Sequence, residues 1–524
     1  MEQNTFGRRQ FLSVGAALGA SAIGLAGCAQ TSGMQSVDSA SPIATVEQGQ
    51  LRGARVGKVA AFKRVPYAAN PFTPTNRFQA PRLMAPWAGV RDASEYGPMP
   101  PQPSRARTGG LAGEADDLTL NVWAPTDARD APVLVWFPGG AYYRVDAAEG
   151  WYDGSGFAGQ GIVVVGVNYR AGIDGFMKID GMPDNRGLLD QVAALKWVQR
   201  NIAAFGGNPK DVTISGQSAG AQSVMHLMGM PMAQGLFQKA IAQSPPKDSL
   251  SPEQARRIAS ATAEVLRVAP TAQALAGVPL PDLIAGVERM VIDLRDRKKW
   301  GPIGGQPPYL PVIDGTVLTT TPYAALKKNA GSGIPLLIGC TDEEARLYLV
   351  PGDAIDRIPA PAFEGALRGN RLPAGAADVY AKVRDKASPG DMLAALESDA
   401  IFRIPTLRFA EQRVAAGAPV WFYNFSWSSP GFDGRLGAAH VVDVPFTFNT
   451  LSTKQATPFL GGPGYQPLAG EMHARWTRFI KSGDAGWPRY DLATRSTMRF
   501  DTTSAVVSDP LSERRRLWAG ANFD

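Results

Sequence analysis

The stretch Val212-Thr-Ile-Ser-Gly-Gln-Ser-Ala-Gly-Ala221 constrains the fold of this chain more than any other. A β-branched run ends in Gly-x-Ser-x-Gly with small residues behind it, so a strand must turn sharply into a helix with Ser218 at the corner. Only residues with little or no side chain fit beside so tight a turn, and Gly216 and Gly220 meet that need. Ala219 follows the serine, where its backbone N–H can face an oxyanion developing near the hydroxyl. With 57 glycines among 524 residues the pattern alone is not decisive. The strand and helix signals on either side give it weight.

Short apolar runs at residues 46–53, 59–65, 118–123 and 133–137 read as strands, the last ending in Pro138-Gly139-Gly140-Ala141-Tyr142. So permissive a turn can aim consecutive N–H groups into one space, and beside a serine corner it is the expected second half of an oxyanion site. Residues 162–167 form a continuous β-branched run, as in a strand buried on both faces of a parallel sheet. Helical periodicity follows over 188–205, then a strand at 212–215, a helix at 219–230 and a strand at 239–243. Strands alternating with helices indicate a doubly wound α/β sheet. Two Pro- and Ala-rich excursions, about 245–333 and 345–417, flank a strand at 335–339, and a further strand at 420–425 precedes a helix at 472–480 and a closing Trp487-Pro488 turn.

Composition narrows the class. At 44% hydrophobic and 19% charged residues, the chain can bury a large core and is neither disordered nor fibrous. The net charge of +6 is spread thinly, and its densest pieces, 295–299 and 514–516, read as solvated faces. No aromatic-interleaved basic stripe accompanies them, which argues against nucleic acid as a partner.

The N-terminus reads as an address. Arg8-Arg9-Gln-Phe-Leu12 precedes an apolar run too short to span a bilayer, and Leu25-Ala-Gly-Cys28 has the form of a bacterial lipobox. The expected organisation is a signal peptide over 1–27, a flexible tether over 28–43 beginning at a lipidated Cys28, and one catalytic domain over 44–524. The expected location is the periplasm or a bacterial membrane reached through that anchor. Cys28 and Cys340 leave little room for a disulfide framework, and no His/Cys cluster suggests a metal site.

A serine hydroxyl needs a base, usually an imidazole oriented by a carboxylate. Of three histidines, His226 lies eight residues beyond Ser218 on the same expected helix, about 12 Å along its axis, too far to serve. His473 sits on an amphipathic helix with Trp476 and Phe479, where a packed or exposed histidine is the ordinary reading. His440, in the loop Gly437-Ala-Ala-His440 past a strand, is the candidate base. The carboxylate is expected just after a strand between Ser218 and His440. Asp342-Glu343-Glu344 fits, Asp314 competes, and position alone does not separate Glu343 from Glu344.

Further motifs fall in order along the chain: Asn168-Tyr-Arg170, Gly187-Leu-Leu-Asp-Gln191, Ala194-Leu-Lys-Trp-Val198 and Phe205-Gly-Gly-Asn-Pro209. With Gly216-Gln-Ser-Ala-Gly220, the chain resembles the type-B carboxylesterases, the α/β-hydrolase family that includes the cholinesterases, over nearly all of its mature length. The resemblance implies an α/β-hydrolase fold with a mostly parallel central sheet, helices on both faces and long helical excursions over the active site. It also implies Ser218 as nucleophile, His440 as base, Glu344 as acid, and the N–H groups of Gly140, Ala141 and Ala219 as oxyanion donors. Arg170 and Asp190 resemble the family's buried ion pair. The implied reaction is hydrolysis of a small-molecule carboxylic ester through an acyl-enzyme, with no cofactor; amide, carbamate, lactone or polyester hydrolysis, and a non-catalytic binding module, are the alternatives.

Three departures from the family stand out. Gln217 replaces a common glutamate beside the nucleophile, so cationic substrates should be attracted less. Asp117 stands where many members have the second cysteine of a disulfide-closed loop, the loop before it is shortened, and Ala141 replaces the last glycine of the oxyanion turn. Cholinesterase activity is therefore not implied.

Overall fold

A computed structural model describes residues 41–106, 109–328 and 330–521. The expected signal peptide, Cys28 and most of the tether lie outside the described residues.

Eleven strands form one sheet. In chain order they are β1 (Ala54–Val56), β2 (Val59–Ala68), β3 (Leu118–Pro125), β4 (Ala131–Phe137), β5 (Val163–Val167) and β6 (Gly207–Gln217). They continue with β7 (Lys239–Gln243), β8 (Leu336–Thr341), β9 (Val420–Phe425), β10 (Ser496–Phe500) and β11 (Ala505–Ser508). The spatial order is β11-β10-β9-β8-β7-β6-β4-β5-β3-β2-β1. The seven strands from β5 to β10 run parallel, while β1, β2, β3 and β11 pair antiparallel at the two ends. Every residue of β5, β7, β8 and β9 is buried, so apolar side chains are needed on both faces and the runs read as unbroken rather than alternating.

Both faces are covered by helix and loop, dividing the interior into two large clusters of buried side chains. The helix α1 (Arg186–Asn201) presents Leu188, Val192, Leu195 and Val198 to one of them at the spacing of a single helical face. Its Asp190 accepts from Arg170 Nε at 2.8 Å and Nη2 at 2.7 Å, both side chains being fully buried. That bidentate pair ties the chain just past β5 to α1, and removing either partner would strand a buried charge.

The sequence expectations need three corrections. Residues 46–53 are not one strand: Ile43–Val46 and Gly49–Arg52 pair antiparallel as a hairpin, in a small sheet with Val90–Asp92. The Glu47 N–H at its turn donates to Asn201 Oδ1 at 2.8 Å, a tertiary tie that local periodicity does not register. The chain does not close at Trp487-Pro488, because β10 and β11 extend the sheet beyond it; four or five residues with few apolar positions give too weak a pattern. Arg514 is not on a solvated face either. It is buried, and its Nε and Nη2 each lie 2.7 Å from an Asp399 carboxylate oxygen.

Candidate active site

The serine corner forms where β6 gives way to α2 (Ala219–Gly229). Ser218 sits at φ 56°, ψ −124°, a conformation that side-chain-bearing residues rarely adopt and that turns its side chain out of the strand. Its N–H donates to Gln243 O at 2.9 Å at the end of β7. Gly220 has no alternative at its position, since a Cβ there would overlap the Phe137 carbonyl oxygen at the end of β4.

The same strand end leads into the turn over 138–142. Tyr169 Oη donates to Pro138 O at 2.6 Å, and Gly172 N–H to Tyr142 O at 2.7 Å, so the turn is pinned from the β5 side. Gly140 takes φ 130°, and Ala141 and Tyr142 follow at 53° and 60°. Such a run leaves the N–H groups of Gly140 and Ala141 without carbonyl partners among the described residues, on the wall of the cavity that holds Ser218. Ala219, first residue of α2, has no helical carbonyl to receive its N–H.

Glu344 lies three residues past β8 and is fully buried. One carboxylate oxygen accepts the Thr341 N–H at 2.8 Å and the other meets His440 Nδ1 in a short hydrogen bond. His440 is also held by its own N–H on Glu344 O at 3.2 Å, and its ring packs at a tilt against Phe402, with centroids 4.7 Å apart. A π-helical turn, Asp399–Arg403, brings Phe402 there.

The alternative carboxylates are otherwise engaged. Glu343 turns away to Arg384, 2.5 Å from its Nη2, and to the Ala438 N–H at 3.0 Å. Asp314 caps the N–H groups of Thr316, Val317 and Leu318, and Asp342 bonds Ser426 and Asn424. Of the other histidines, His226 is buried within α2, where burial pushes its imidazole down to about 3. His473 bonds Thr447 O at 2.9 Å and packs against Phe157.

Since Glu344 accepts the Nδ1 proton, His440 Nε2 carries a lone pair. In this arrangement Nε2 is met at 3.0 Å by the Gln217 side-chain nitrogen rather than by the Ser218 hydroxyl, although Ser218 and His440 line the same cavity. Gln217 is buried and neutral, so it can donate a hydrogen bond there but cannot stabilise an imidazolium as a carboxylate would.

Two cavities open onto Ser218. One, of about 410 Å³, is walled by His440, Trp151, Tyr152, Phe459 and the backbone of Gly139, Gly140 and Ala141. The other, of about 400 Å³, is walled by Ala219, Gln222, Phe402 and the loop from Gly301 to Pro307. The two expected excursions supply walls of the second cavity, through 301–307 and through Ala400, Ile401 and Phe402, whereas Trp151, Tyr152 and Phe459 of the first lie outside them. A Gly-Pro-rich run at 301–307 signals irregular backbone, but not where that backbone docks.

Asp443, which the sequence did not mark, sits three residues past His440 and is fully buried. Gln243 Nε2 and Tyr423 Oη both donate to its Oδ2 at 3.0 Å, and Oδ1 has no partner among the described residues. Burial pushes its carboxyl up to about 6, held back by the Gln243 hydrogen bond and reinforced by the Glu344 charge.

The sequence profile of the carboxylesterase family matches residues 40–518. The para-nitrobenzyl esterase of Bacillus subtilis (strain 168) is 35% identical over 493 residues, spanning 90% of this chain and 98% of that protein. A phenmedipham hydrolase of Pseudarthrobacter oxydans is 34% identical over 483 residues, spanning 89% of this chain and 94% of that protein. Among solved structures, the Geobacillus stearothermophilus carboxylesterase EST55 superposes with a TM-score of 0.80 at 33% identity, over 91% of this chain and 99% of that one.

Two outcomes follow from the carboxylate positions. Glu344→Gln should lower kcat by about 10²-fold or more while Glu343→Gln changes it far less, and the reverse ranking in ester turnover would assign the acid to Glu343. The Asp443 carboxyl holds its proton more tightly in the folded chain than in the unfolded one. As pH rises from about 4 through about 6 the fold therefore loses stability through this group, and above that the loss is complete. Between pH of about 4 and about 8, the stability of Asp443→Asn relative to wild type should shift in the variant's favour by about 1–3 kcal/mol. A pH-independent difference in denaturant unfolding would contradict it.

Proposed function

The chain belongs to the carboxylesterase family, and on that premise we propose that it hydrolyses carboxylic esters with Ser218 as nucleophile, His440 as general base and Glu344 as the carboxylate that orients the base. The observation that carries these roles is the short bond from Glu344 to His440 Nδ1, which leaves the Nε2 lone pair of a buried imidazole on the wall of the cavity that holds Ser218. Relatives named as esterases of para-nitrobenzyl and fumonisin B1 esters support the same reading.

As substrate enters, the Gln217 amide leaves Nε2 and the Ser218 hydroxyl takes its place; hydrogen bonds of this kind often tighten only once substrate is bound. Ser218 Oγ attacks the ester carbonyl carbon while Nε2 takes its proton, and Glu344 stabilises the imidazolium. The tetrahedral oxyanion is received by the N–H groups of Gly140, Ala141 and Ala219, donors of a kind worth about 3 kcal/mol each in the transition state. The carbon–oxygen bond to the alcohol then breaks, and His440 returns the proton to the departing oxygen. A water activated by His440 attacks the acyl-enzyme, the same donors receive the second oxyanion, and the acid leaves as Ser218 regains its proton.

Ser218→Ala should abolish turnover of short-chain nitrophenyl esters, by about 10⁴-fold or more, with an unchanged thermal melt. Turnover retained within about tenfold would remove Ser218 from this role.

A further inference from the structure

The two cavities beside Ser218 differ in which half of an ester they can receive. This inference rests on the proposed roles of Ser218 and His440. A base that hands its proton to the departing alkoxide must stand on the alcohol side of the scissile bond. Of the two cavities, His440 lines only the aromatic one. The alcohol half therefore occupies the aromatic cavity, and the acyl half lies toward Ala219 and Gln222.

The charges on the aromatic wall are all of one sign. Arg105, Arg144 and Lys454 line it, and no aspartate or glutamate does. Arg105 is balanced by its ion pair with Glu149. Arg144 is not balanced in that way: its Nε donates to Pro103 O at 3.1 Å and its Nη2 to Ser104 O at 3.3 Å, and carbonyls satisfy hydrogen bonds without cancelling charge. Lys454 is exposed and makes no ion pair among the described residues. Gln217, at the inner end, adds no negative charge. A cationic leaving group would meet two positive charges that no ion pair balances among the described residues, and no carboxylate on the wall to offset them, leaving only the aromatic faces to attract it.

We propose that the aromatic cavity is a binding site for an anionic leaving group, an alcohol or phenol bearing a carboxylate or a comparable oxyanion. Its apolar body rests on Trp151, Tyr152 and Phe459, and its charge lies toward Arg144 and Lys454. The anion is a spectator: the bonds made and broken at Ser218 are those of any ester, and the charge acts on capture and alignment of the substrate.

The test compares kcat/KM for three acetate esters of meta-substituted phenols: meta-acetoxybenzoate, meta-acetoxybenzamide and meta-trimethylammoniophenyl acetate. Each charged ester is read as a ratio to the neutral benzamide, and ratios are compared between wild type and variants so that intrinsic leaving-group reactivity cancels. Lys454→Glu should lower the benzoate ratio by about 10-fold and raise the trimethylammonium ratio. Arg144→Gln should lower the benzoate ratio in the same direction, and both effects should shrink at about 1 M salt. Ratios unchanged in both variants, or shifted the opposite way, would overturn the anionic site while leaving Ser218 as nucleophile. Turnover of the benzamide ester that survives Ser218→Ala would overturn the roles on which the site depends, and the site with them.

Discussion

The backbone of Gly220 lies directly against the carbonyl of Phe137, with no room for a side-chain carbon between them. That contact lets the first turn of α2 approach the end of β4, and two otherwise distant pieces of chain then share one space. Ser218, forced to positive φ at the end of β6, faces the turn that follows β4. The neighbouring strands hold the arrangement from both sides, β7 through Gln243 O on the Ser218 N–H and the chain past β5 through the Tyr169 hydroxyl on Pro138 O. A local strain is thus fixed by a sheet whose central strands are buried throughout, where yielding would disturb close packing.

His440 and Glu344 reach the same edge by a different route. Because β8 and β9 are parallel neighbours, with Thr341 opposite Phe425, both end on the side of the sheet where β6 ends. The chain after β8 places Glu344 within three residues, whereas the chain after β9 runs fifteen residues to His440. The longer path is compensated by anchoring: the His440 N–H on Glu344 O, the Nδ1 bond to the carboxylate, and Phe402 across the ring. Asp443 adds a buried carboxyl beside this pair, held by Gln243 and Tyr423 from β7 and β9, so the ends of three successive strands meet in one polar cluster.

Much of this was legible in the sequence because local chemistry dictates it. The apolar runs at 162–167 and 420–425 placed β5 and β9 closely, whereas β6 begins at Gly207, five residues before the expected start, and the Gly-x-Ser-x-Gly corner and the Gly139-Gly140 turn are demanded by backbone conformation. The preference for Glu344 over Glu343 rests on resemblance, and the contacts of the two side chains differ: one turns to Arg384, the other to His440. What stayed hidden depends on contacts far apart in sequence. Arg514 reads as part of a basic surface run until Asp399, more than a hundred residues earlier, is seen beside it. The cavity walls come from segments as distant as Trp151 and Phe459, and no periodicity announces that these will meet.

The electrostatic character of the cleft follows from the same distribution. A neutral Gln217 at its base and unbalanced cations on its aromatic wall describe a site built for neutral or anionic esters, on a scaffold whose proton-transfer groups do not dictate the charge of the substrate. All of it depends on Ser218 being the atom donor that becomes acylated. The most direct measurement is stoichiometric labelling with a serine-directed phosphonate followed by mass mapping of the digested protein. One equivalent on the peptide that contains Ser218, with activity lost in proportion, is the predicted result; label on another residue, or inactivation without any adduct at Ser218, would contradict it.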